Sequence, residues 1–131
     1  MDKKAKVLIM AGGTGGHVFP ALATAQELKA QGADVEWIGT QKGIEARVVP
    51  DAGIRLHCIK VTGLRGKGRL SLVMAPFRLL QAVAQAIAVL RQVKPDVVLG
   101  MGGFASGPGG VAARLLGVPI VIHEQNAIAG L

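Results

Sequence analysis

Between an apolar run, residues 7–10, and an amphipathic run that begins at Ala21, the chain places Met10-Ala-Gly-Gly-Thr-Gly-Gly-His-Val-Phe-Pro20, with four glycines and one histidine. This order reads as strand, glycine loop, helix. Glycine lets a backbone take positive φ and approach a ligand closely, and Pro20 suits the first turn of a helix, where its missing N–H costs nothing. The free N–H groups of such a helix start, with the positive end of its dipole, favour an anion, and phosphate is the obvious guest. Thr14 adds a hydroxyl. His17 adds an imidazole, the side chain type that exchanges a proton near neutral pH. The same stretch also fits a tight turn that holds nothing.

Neither common nucleotide fingerprint is met. Gly13 and Gly15 begin G-x-G-x-x-G, but Val18 stands where the third glycine belongs, and His17-Val18 replaces the Lys-Ser or Lys-Thr of a P-loop. An NAD(P)-binding domain is therefore disfavoured.

The 131 residues suit one domain able to bury roughly 65–70 % of its unfolded surface. Half of them are apolar but only 3 % are aromatic, so the core must be built from Val, Leu, Ile, Ala and Met. The single cysteine, Cys58, is expected to be a buried strand residue, which suits a reducing cytoplasm. The basic start at residues 1–6 precedes an apolar run too short for a signal peptide, so no secretion signal is expected.

Strands are expected at 7–10, 35–38, 55–61, 97–99 and 119–122, with helices over 21–31, 41–49, 70–93 and up to Leu116. Pro50 should stop the second helix and Pro76 should break the third. Such alternation predicts a parallel, doubly wound sheet in the order 3-2-1-4-5, with strands buried on both faces. Strands 1 and 4 then meet at the switch point, where ligands bind beyond the carboxyl ends. The loop at 12–17 would face a second one, Gly100-Met-Gly-Gly-Phe-Ala-Ser-Gly-Pro-Gly-Gly110, with His123, Glu124, Gln125 and Asn126 arriving on the same edge.

The net charge of +7 is concentrated in residues 52–95, where Arg55, Lys60, Arg65, Lys67, Arg69, Arg78, Arg91 and Lys94 face no acid in sequence. Residues 70–90 are apolar enough to raise a transmembrane span. Arg78 near the middle would cost about 2.5–3.5 kcal/mol there, and the flanks belong to an α/β pattern, so a buried crossover helix is expected. Leu70, Leu72, Val73 and Met74 beside Arg65, Lys67 and Arg69 make an apolar knob ringed by cations, as contact with an anionic membrane requires. The competing reading, less favoured, is that these apolar groups pack inside while the cations solvate. Nucleic acid is disfavoured by the scarcity of aromatics that would stack on bases.

With the segments 12–17, 100–110 and 123–126 in this order and spacing, essentially the whole chain resembles the amino-terminal domain of the MurG family of bacterial peptidoglycan glycosyltransferases. The resemblance implies the Rossmann-like amino-terminal lobe of a GT-B enzyme, spanning 1–131, with a donor-nucleotide domain elsewhere in the full-length protein. It implies transfer of N-acetylglucosamine from UDP-N-acetylglucosamine to lipid I, making lipid II, without cofactor or metal, and the sequence has no Asp-x-Asp cluster. It places the protein peripherally on the cytoplasmic face of the inner membrane. Thr14, Gly15, Gly16 and Asn126 are implied to touch the donor, with Gly103, Phe104, Ser106 and Gln125 also lining the substrate site. His17 is the candidate base and Glu124 the next in line; Glu124 and His123 are implied to bind the acceptor or orient the cleft. Histidine at 17 could instead serve only as a hydrogen-bonding group. Family members often carry Tyr where this chain has Phe104, so stacking is implied there without a phenolic hydroxyl. A non-catalytic module that docks a lipid pyrophosphate is the competing reading.

Overall fold

The computed structural model describes residues 4–12, 15–60, 69–102 and 106–123, with backbone alone at 15, 69–75 and 106. Its elements run β1 (Lys6–Ala11), α1 (Gly15–Ala30), β2 (Asp34–Gly39), α2 (Glu45–Asp51), β3 (Arg55–Cys58), α3 (Arg69–Val93), β4 (Val97–Gly102), α4 (Ser106–Leu116) and β5 (Ile120–Ile122). The sheet is parallel, in the expected order β3-β2-β1-β4-β5.

Alternate residues of the central strands feed two separate cores, as a pleated strand requires. Val7, Ile9 and Ala11 pack with Trp37 beneath Val18, Ala21 and Ala25 of α1 and Val49 of α2. On the other face Leu8, Met10, Ile38 and Val98 pack beneath Val83, Ala86 and Leu90 of α3 and Ala112 and Ala113 of α4. Alanines on the helices let them lie close to the sheet, which offsets the lack of aromatic bulk. Each fully buried large aliphatic contributes about 1.5–3 kcal/mol. Trp37 is fully buried, and its indole N–H donates to the Ala11 carbonyl at 2.8 Å.

The central strands are buried as predicted, but the edge strands are not. In β5, Val121 and Ile122 are exposed, and β3 is only partly covered. Cys58, expected inside, is exposed because β3 lies at the sheet edge. Both β3 and β5 are shorter than predicted, and Val61 falls outside the described residues.

Proline misplaced three helix bounds. The helix α1 starts six residues before Ala21, so Pro20 lies in its second turn; the bond lost there is to Gly16, which is exposed to water. Likewise α2 starts later than expected and runs through Pro50, whose exposed ring meets no packing obstacle. Pro76 does not break α3, which is continuous over 25 residues; Pro76 is exposed, so its ring meets no packing obstacle. Nor is α3 wholly buried, for Phe77, Leu79 and Leu80 are exposed. Among the described residues no helix is long and apolar enough to cross a membrane.

One polar ladder crosses the β1-β2-β3 side of the sheet. Lys6 Nζ lies 3.3 Å from Glu36 Oε2, and His57 Nε2 lies 2.7 Å from Glu36 Oε1. Burial raises the Glu36 carboxyl, but the hydrogen bonds and charges of His57 and Lys6 outweigh it and hold the group below its ordinary 4.5. A depressed carboxyl contributes stability that is complete above its unfolded value and fades as pH falls through the folded one. The urea midpoint should therefore drop below pH 4.5, and Glu36→Gln should flatten that part of the profile. An unchanged acid slope in the variant would place the effect elsewhere.

Candidate functional site

The carboxyl ends of β1 and β4 lie side by side at the switch point, and the pairing shifts register between Met10 and Ala11, so that Ala11 faces Gly102. Gly12 N–H then donates to the Gly102 carbonyl at 3.3 Å. The two glycine-rich segments are thus joined at their bases. Gly102 has φ +104°, and a Cβ built there would lie 2.5 Å from His17 Nδ1 and 2.9 Å from Cε1. His17, in the first turn of α1, therefore lays its ring over the end of β4, with Nδ1, Cε1 and Cγ nearest and Nε2 on the far side. Only glycine permits that seat, both for its φ and for its missing side chain.

Two helix starts share this edge. Neither α1 nor α4 carries an acid in its first turn, so no carboxylate there offsets the positive end of either helix dipole beside the crevice. The start of α4 is held down by Gly109, where any Cβ would collide with the Met10 sulfur.

A third component was not anticipated from sequence. Glu45, the first residue of α2, is fully buried against Gly12, where the first glycine segment begins. A Cβ at Gly12 would collide with its Oε2, and one at Gly39 would fall 2.7 Å from its Cγ. Thr40 donates to Glu45 Oε2 from its N–H at 2.8 Å and from its hydroxyl at 3.1 Å, and Gly43 N–H in turn donates to Thr40 Oγ1 at 3.3 Å. The available signal was positional. Glu45 stands four residues before buried Val49, on the face of α2 that must meet the sheet.

Of the residues expected to form the site, the fold brings His17, Gly15 and Gly16 to the switch point and places Ser106 at the start of α4. His123 follows β5 on the same edge, its N–H donating to the Gly100 carbonyl at 2.8 Å, and is exposed. Thr14, Gly103, Phe104, Glu124, Gln125 and Asn126 lie outside the described residues. So do Arg65 and Lys67, while Arg69, Leu70, Leu72, Val73 and Met74 are described only as the first turns of α3. Among the described residues no group of three or more His, Cys, Asp or Glu side chains could hold a metal ion.

A doubly wound sheet with glycine-rich turns and two helix starts at its switch point is the arrangement in which open α/β domains hold phosphate-bearing ligands. Residues 7–131 match the glycosyltransferase family 28 N-terminal domain, and the chain belongs to that family. It is 67 % identical over 126 residues, 96 % of its length, to the UDP-N-acetylglucosamine--N-acetylmuramyl-(pentapeptide) pyrophosphoryl-undecaprenol N-acetylglucosamine transferase of Pseudomonas syringae pv. tomato, and covers 35 % of that relative. The Pseudomonas putida enzyme of the same name is 67 % identical over 124 residues. Among solved structures, MurG of Acinetobacter baumannii superposes with a TM-score of 0.82 at 49 % identity, over 97 % of this chain and 37 % of that one. The calicheamicin glycosyltransferase CalG4 shares the fold at 24 % identity and a TM-score of 0.65. The chain therefore spans about a third of the length of the relatives it matches.

Proposed function

We propose that this chain is the acceptor-side lobe of an inverting glycosyltransferase that moves N-acetylglucosamine from UDP-N-acetylglucosamine to undecaprenyl-pyrophosphoryl-N-acetylmuramoyl-pentapeptide. The observation that carries the reading is the seating of His17 over Gly102, which puts one proton-accepting side chain where two glycine segments and two helix starts meet. In the reaction an acceptor hydroxyl attacks the anomeric carbon, the bond from that carbon to the diphosphate oxygen breaks, and UDP leaves with the electron pair. His17 Nε2, turned away from β4, takes the hydroxyl proton. The N–H groups at the starts of α1 and α4 stabilise the negative charge growing on the diphosphate, a role preorganised dipoles fill without moving. Thr14, Gly15, Gly16 and Asn126 hold the donor, with Gly103, Phe104, Ser106 and Gln125 around it, and His123 and Glu124 orient the acceptor.

Much of the donor site belongs to a second domain in this reading, so residues 1–131 alone should transfer no sugar, while the full-length protein should turn over at about 1–1,000 per second. Incubation of each with UDP-N-acetylglucosamine and a lipid I analogue checks this. Turnover by the short chain would end the two-domain assignment, and a full-length protein that instead reduces NAD would end the transferase one.

We also assign a peripheral seat on the anionic cytoplasmic face of the inner membrane. Support comes from Phe77 and Leu80, which are 63 % and 66 % exposed on α3, in the same acid-free segment as Arg65, Lys67 and Arg69. Vesicle binding should require anionic lipid and fade by about 0.5 M salt. Charge reversal at Lys67 or Arg69, a change of two charges at each site, should weaken it by about 2 kcal/mol. Binding indifferent to both salt and charge would remove this seat.

A further inference from the structure

The geometry points to Glu45 as a positioning residue for the first glycine segment, acting from behind it and touching no substrate. This rests on the transferase reading above. A carboxylate taken out of water is costly unless hydrogen bonds satisfy it, and a chain that needed only bulk at this point of α2 would be served by Leu or Met. Glu45 is instead completely enclosed at the place where the ends of β1 and β2 come together. Its Oε2 binds both the N–H and the hydroxyl of Thr40, fixing the chain just after β2. The same oxygen presses against Gly12, and the side chain stem presses against Gly39. Two glycines thus leave room for one carboxyl group.

Gly12 is also the residue whose N–H reaches the Gly102 carbonyl, beneath His17. A shift of the carboxylate is therefore passed to Gly12, to the joint between the two glycine segments, and so to the imidazole and the N–H groups that face the crevice. Because Glu45 is sealed from the crevice, its loss should disturb alignment during reaction more than donor binding.

The test uses the full-length protein, with kcat expressed per folded molecule at a temperature where urea titration shows every variant folded. Glu45→Asp draws the carboxylate back by one methylene and should lower kcat about tenfold or more while the donor KM changes less than about threefold. Glu45→Gln, which keeps shape and an acceptor for Thr40, should retain at least about five times the kcat of the Asp variant. Gly12→Ala should damage kcat similarly by pushing from the other side. Adding Glu45→Asp, which vacates the contested space, should recover at least about threefold over Gly12→Ala alone. An Asp variant with wild-type kcat, a Gln variant as poor as Asp, or losses that simply multiply in the double variant would each overturn the inference. A wild-type protein that transfers no N-acetylglucosamine would overturn the functional reading instead.

Discussion

His17→Ala in the full-length protein is expected to lower kcat at least about a hundredfold while leaving donor affinity nearly unchanged. A general base contributes about 10² to 10⁴ in rate, whereas a neutral hydrogen bond contributes only about 0.5–1.5 kcal/mol, roughly a tenfold effect or less. The two roles open to this imidazole are therefore separable by magnitude. His17→Asn can still hydrogen-bond but cannot accept a proton at working pH, and should be almost as poor as Ala. The acidic limb of the kcat/KM profile, where a protonated base is idle, should vanish in both. An Asn variant that keeps more than about a tenth of the wild-type rate, or a persisting acidic limb, would move proton abstraction to another group, with Glu124 the next to test.

The second large effect should come from a residue with no functional atom beyond its backbone. Gly102→Ala puts a methyl 2.5 Å from His17 Nδ1 on a backbone at φ +104°, so it should cost about 1–3 kcal/mol of stability and displace the imidazole. Misplacing a catalytic group by about 1 Å can cost on the order of 10² in rate, and kcat should fall accordingly with the protein still folded at low temperature. The double-variant cycle isolates the cause. In a His17→Ala background there is no ring to displace, so Gly102→Ala should then change kcat less than about threefold. Losses that multiply would show that Gly102 does not set the position of His17.

The strand order and the meeting of the two glycine segments were legible because apolar runs alternate with helical ones and parallel connections permit few topologies. The prolines misled because a propensity acts locally. Pro20, Pro50 and Pro76 each sit inside a helix that is held to the sheet by packing of Val18, Val49 or Val83. Cys58 misled because an apolar run says nothing of whether its strand is central or at an edge. Glu45 escaped notice for another reason. An acid at a helix start is ordinarily read as solvated and dipole-stabilising, and only the two glycines brought from β1 and β2 reveal that this one is enclosed. Phe77 and Leu80 were read as part of a buried helix, whereas among the described side chains of α3 the buried ones begin at Ala82.

The indole of Trp37, a core group bonded to the Ala11 carbonyl, has a practical consequence. It is the only tryptophan in this chain, which also lacks tyrosine, and its partner carbonyl directly precedes Gly12. Indole emission depends on that hydrogen bond and on the dryness of its surroundings. The chain therefore carries its own optical reporter one residue from the first glycine segment, and fluorescence titration can follow ligand arrival there without a label.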